Sequence, residues 1–82
     1  MPTLKRIDGF EIRLFIANEH RPPHVHVFKA GAECRILLGD EAMQPRLWNV
    51  VGGMSAQDAR RAEELVSRWQ GELLAAWRKY HG

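Results

Sequence analysis

The sequence predicts a small α+β domain: an antiparallel sheet of three to four strands packed on one long C-terminal helix. Two observations predict it. Apolar residues alternate at every second position through the first half of the chain, and recur at spacings of three and four through the last third. A third, the chain length of 82 residues, limits the whole to a single domain over 1–82.

Thr3 to Ile7 is read as the first strand, because Asp8-Gly9 behind it is a hairpin turn signal. Phe10, Ile12, Leu14 and Ile16 alternate with Glu11, Arg13 and Phe15, the pattern of a half-buried strand over 10–16. Ala17 to Pro23 is a loop stiffened by Pro22 and Pro23, each of which holds its predecessor extended. A strand over 24–29 follows, with Val25 and Val27 on one face and His24, His26 and Phe28 on the other. After a tight turn at Ala30-Gly31, a strand over 32–38 turns Cys34, Ile36 and Leu38 to one side. Residues 47–51 are a candidate further strand, with Trp48 expected in the core. Ser55, with Asp58 three later, predicts a helix start, and one helix is expected over 55–80. Its apolar stripe is Ala59, Ala62, Leu65, Val66, Trp69, Leu73, Trp77 and Tyr80.

Composition narrows the function classes. Cys34 is the single cysteine, so neither an internal disulfide nor a thiolate metal cage is available, and its place on the core face predicts an inert buried thiol. No stretch is long and apolar enough to span a membrane, and the first residues lack the apolar region of a secretory signal, so a cytoplasmic protein is expected. A formal charge of +2 does not by itself announce nucleic acid. A core this small gains from a partner, and a homo-oligomer is one way to supply it.

A two-residue turn at Ala30-Gly31 sets His26 opposite Arg35, His24 opposite Leu37 and Phe28 opposite Glu33. Directly opposed residues share a face. His24, His26, Glu33 and Arg35 therefore gather away from the helix, and Glu11 and Arg13 join them if their strand pairs alongside. The plain reading of such a surface is the solvated face of an antiparallel sheet. Three functional readings stand beside it. In the first, the face cleaves RNA without a metal: His24 and His26 transfer protons while Arg13 and Arg35 hold the phosphate. In the second, His24 and His26 share a metal ion, with His20, Glu33 or Glu11 as a third ligand, none at a diagnostic spacing. In the third, the face docks a protein through Phe15, Phe28 and Leu37. On the residues alone the solvated face is the favoured reading; among the functional ones the first is carried forward, with docking as the alternative, catalytic candidates His24, His26, Arg35 and Arg13, binding candidates His20, Glu33, Glu11 and Phe28, and neither metal nor other cofactor.

The run Asn18-Glu19-His20-Arg21-Pro22-Pro23-His24-Val25-His26-Val27 resembles the signature of a family of small bacterial proteins long classed as a domain of unknown function. That signature reads roughly Asp-His-x-Pro-Pro-His-Phe-His-Val. Met1-Pro2-Thr3, Ile12-Arg13-Leu14-Phe15 and Glu72-Leu73-Leu74-Ala75-Ala76-Trp77 also fit it, so the likeness covers nearly the whole chain. Glu19 stands where Asp is commoner, and the family's Leu-Pro-Arg-Arg-like run before the helix is only partly answered by Met54-Ser55 and Arg60-Arg61. The resemblance implies a DhiT-type toxin of a type II toxin–antitoxin pair, partnered by a DhiA-type antitoxin encoded nearby. It singles out His20, Pro22, Pro23, His24 and His26, and implies no settled mechanism.

Overall fold

A computed structural model describes residues 3–14 and 22–81. Its elements are β1 (Thr3–Ile7), β2 (Phe10–Arg13), β3 (His24–Lys29), β4 (Ala32–Leu37), β5 (Arg46–Val51), α1 (Ala56–Arg68) and α2 (Gln70–His81). The α+β class stands, but among the described residues the sheet has five strands rather than three to four, in the meander order β1-β2-β3-β4-β5 with every pairing antiparallel. Phe15 and Ile16, expected at the end of the second strand, lie outside the described residues.

Two tight turns set the register. Asp8 (φ 53°) with Gly9 (φ 82°), and Ala30 (φ 51°) with Gly31 (φ 83°), are positive-φ pairs that match the right-handed twist of two-residue hairpins. They close Ile7 against Phe10 and Lys29 against Ala32. From the second turn all the opposed pairs expected between β3 and β4 follow, including His26 with Arg35 and Val27 with Cys34. Between Arg35 and Ile36 the partner strand slips by one residue, so Trp48 is extra and forms a bulge in β5.

One face of the sheet is sealed. Ile12, Leu14, Val25, Val27, Cys34, Ile36 and Leu38 are fully buried against Ala59, Ala62, Leu65, Val66, Leu73 and Trp77 of the helices. Ser55 caps α1, its hydroxyl accepting the Asp58 N–H at 3.0 Å. The single helix expected over 55–80 is broken at Trp69, whose backbone (φ −107°, ψ 18°) ends α1. At the break the Gln70 amide nitrogen reaches the carbonyls of Leu38 (2.8 Å), Asp40 (3.0 Å) and Met43 (2.9 Å), pinning the start of α2 to the β4–β5 loop. An apolar stripe that runs through both helices hides such a break from periodicity. Two aromatic assignments also change. Trp48 is 45% exposed rather than core, and Tyr80 is exposed beyond the stripe's buried end.

Burial pushes the Cys34 thiol up to about 11, and the carboxylates of Glu33 and Glu63 add to the effect. A folded value raised in this way gives stability that is present below the unfolded value and is lost as pH rises through about 11. Native protein at pH 8 is therefore expected to resist a thiol reagent that labels it readily in guanidinium. Equal labelling in the two states would show that Cys34 is not in the core.

A histidine–arginine row on the open sheet face

The pairings lay the outward residues in rows across the sheet. The central row is Thr3, Arg13, His26, Arg35 and Asn49, one residue from each strand. Beside it run Arg6, Glu11, Phe28, Glu33 and Val51. His24, Leu37 and Arg46 form a third, shorter row. Of the expected site residues, His24, His26, Arg13, Arg35, Glu11, Glu33 and Phe28 all share this face. His20 and Phe15, the latter expected in a docking patch, lie outside the described residues.

Carboxylates tie the row together. Glu33 Oε2 accepts from His26 Nδ1 at 2.8 Å and lies 3.9 Å from Arg35 Nε. Glu11 accepts from Arg13 Nε and from the Thr3 hydroxyl at 2.9 Å, with Arg6 at 3.9 Å. The bonds from Arg13 and Thr3 hold the Glu11 carboxyl below its ordinary range, and Glu11 in turn raises the Arg13 guanidinium. Arg13 also covers the Phe28 ring at 4.7 Å, a cation–π contact that fixes its stem.

Both imidazoles are buried, His24 at 4% and His26 at 3% exposure, although they sit on the face away from α1. His24 Nδ1 donates to the Pro22 carbonyl at 2.9 Å. A carbonyl and a carboxylate can only accept, so each neutral ring carries its proton on Nδ1. Aromatic rings crowd His24: His26 at 5.2 Å, Trp48 edge-on at 5.0 Å and Trp77 at 5.5 Å. Trp77 in turn stacks on His81 at 3.8 Å. The two arginines are more open, with side chains 31% and 39% exposed. Among the described residues, Arg35 Nε and Asn49 Oδ1 are buried without a hydrogen-bond partner. Also among the described residues, no group of three or more His, Cys, Asp or Glu is arranged to hold a metal ion.

Sequence reasoning missed three contributors. Trp77 was read as core alone, yet its ring also meets His24. Trp48 and Asn49 would alternate in a regular strand, and only the bulge puts both on the site face; no local residue pattern announces it. The opposed pair Arg35–Asn49 follows from the same slip.

A five-stranded meander with a broken helix on one face, and a carboxylate-braced histidine–arginine row on the other, defines a two-layer α+β domain with an open, polar sheet surface. Over residues 9–78 the chain matches the family described as Domain of unknown function (DUF4160), and it belongs to that family. No curated protein and no solved structure matches it. Among the described residues, no helix is long and apolar enough to cross a membrane.

Proposed function

We propose that the open sheet face is the working surface of a toxin-like component of a type II toxin–antitoxin pair, and that it acts on an RNA phosphodiester. The observation that supports this best is the arrangement of Arg13 and Arg35 on either side of His26, whose Nδ1 is oriented by Glu33. Strands lie about 4.8 Å apart, so the two arginines start roughly 10 Å from each other and can converge on one phosphate from both sides. In the proposed step the 2′-oxygen attacks phosphorus and gives its proton to His26. The bond to the 5′-oxygen breaks, that oxygen takes the Nε2 proton of a His24 that enters the step as imidazolium, and a 2′,3′-cyclic phosphate remains, with the proton now on His26 and His24 neutral. The guanidinium groups balance the charge that grows on the phosphoryl oxygens.

The burial of both histidines favours a second reading, in which the face docks a protein and the rings only brace it. Trp48, Leu37, Phe28 and Arg46 would then meet the partner, an antitoxin of the DhiA type. Expression of the chain with and without the product of its neighbouring gene tests the pair. Growth arrest and RNA loss are expected from the chain alone, with relief on co-expression. Equal growth in both cultures would remove the toxin reading, and arrest with intact RNA would leave the docking reading in its place.

A further inference from the structure

The sheet has one edge that is poorly guarded. β5 is six residues long, carries a single charge, and exposes Leu47 (38%), Trp48 (45%), Val50 (41%) and Val51 (45%). Natural edges of this length are usually blunted by charge or proline, and a bare apolar edge is a place for strand addition. Hydrogen-bond directions along β5 follow from the Ala30-Gly31 hairpin. Its closing pair Lys29–Ala32 is hydrogen-bonded, so Glu33, Arg35 and Leu37 bond toward β5. Their partners Val51, Asn49 and Arg46 face β4, which leaves the peptide groups of Leu47 and Val50 pointing off the sheet. The Leu47 N–H shows this directly, since Glu63 Oε2 of α1 accepts it at 2.7 Å.

The bulge gives β5 an unusual property. In a regular strand, residues three apart lie on opposite faces. Here the extra Trp48 puts Leu47 and Val50 together on the helix side, where both line a groove with Met54, Ala59, Arg60 and Glu63. Arg46 and Val51 share the other side, opposite Leu37 and Glu33, and Trp48 joins Asn49 there beside His24. The strand therefore reads the same in both directions as far as facing is concerned.

We propose that two copies of this chain join through β5, edge to edge and antiparallel, about a twofold axis between Trp48 and Asn49. Leu47 of one copy pairs with Val50 of the other, Trp48 with Asn49, and Arg46 with Val51. Each opposed pair then shares a face, and the outward peptide groups of Leu47 and Val50 bond to one another. Charge agrees with a self-complementary contact: Arg60 and Glu63, of opposite sign, both line the groove at the seam. Glu63 gives up the Leu47 N–H to the incoming strand and meets Arg60 of the second copy across the axis. The product is a ten-stranded sheet with both histidine–arginine rows on one continuous face.

Sedimentation equilibrium of the full chain should show a dimer. Val50→Lys, at an exposed position of the single chain, should give a monomer with unchanged circular dichroism. Register is tested by oxidising a mixture of Leu47→Cys and Val50→Cys chains, which should cross-link to each other far faster than either does alone. A wild-type monomer at high concentration, a Val50→Lys dimer, or cross-linking no faster in the mixture would each overturn the proposal.

Discussion

Trp77→Ala is expected to destabilise the fold by about 3–5 kcal/mol, the range for removing a buried tryptophan and leaving a cavity. Trp77 is 5% exposed, belongs to the same core as Leu73 and Leu74, and joins that core to the His24 ring and to His81. A domain of this size is stable by roughly 0.05–0.15 kcal/mol per residue, about 4–12 kcal/mol over 82 residues, so the loss removes a large share of the total. Denaturant melts should show a much lower midpoint or no folded baseline. Trp69→Ala is the informative comparison. Trp69 is only partly buried, lies beneath Lys5 Nζ at 4.0 Å, and leaves its Nε1 without a partner among the described residues. Its removal should cost clearly less. Equal costs would mean that α2 does not sit where the Gln70 anchor places it.

The contrast between these two tryptophans shows what was legible and why. Helical spacing put both on one stripe, which is correct for the buried face of each segment. What spacing cannot report is a hydrogen bond to a distant loop, and Gln70 breaks the helix by reaching Leu38, Asp40 and Met43, about thirty residues back in the chain. Strand register was legible for the opposite reason. A two-residue turn at Ala30-Gly31 is local chemistry, and once it is placed, the facing of His24, His26, Glu33 and Arg35 follows without any long-range information. The bulge at Trp48 has no such local mark. A place in a short strand therefore suggests a core tryptophan, whereas Trp48 stands half-exposed beside His24.

Which residues share the sheet face could thus be read from the chain, but their electrostatics could not. Which carboxylate serves which base depends on side-chain reach across the sheet. Glu11 takes Arg13 and Thr3, while Glu33 takes His26 and stands near Arg35. The burial of both histidines was equally hidden, because an outward position on a strand ordinarily means exposure. Here rings flank His24, and Glu33 accepts from Nδ1 of His26.

His26→Gln carries the largest functional effect expected of any single change. If His26 takes the proton from the attacking oxygen, its removal should slow RNA cleavage by about 10²–10⁴-fold, the usual contribution of a positioned general base. Gln keeps a polar group within reach of Glu33, so the half-buried carboxylate is not left without that donor and the fold should persist. Glu33→Gln should have the same sign and a smaller size, because it loosens the orientation of the imidazole while leaving the titrating ring in place. The measurements are cleavage of a defined RNA, thermal melting, and binding of the neighbouring gene's product, made on the same preparations. Lost cleavage with the melt and the complex intact supports catalysis at the row. A weakened complex, with no RNA cut by wild type or variant, assigns the face to docking. Should His26→Gln unfold the chain, the row is a structural brace, and Arg13→Ala with Arg35→Ala, on partly exposed side chains and with the melt measured alongside, becomes the deciding test of whether the face handles phosphate at all.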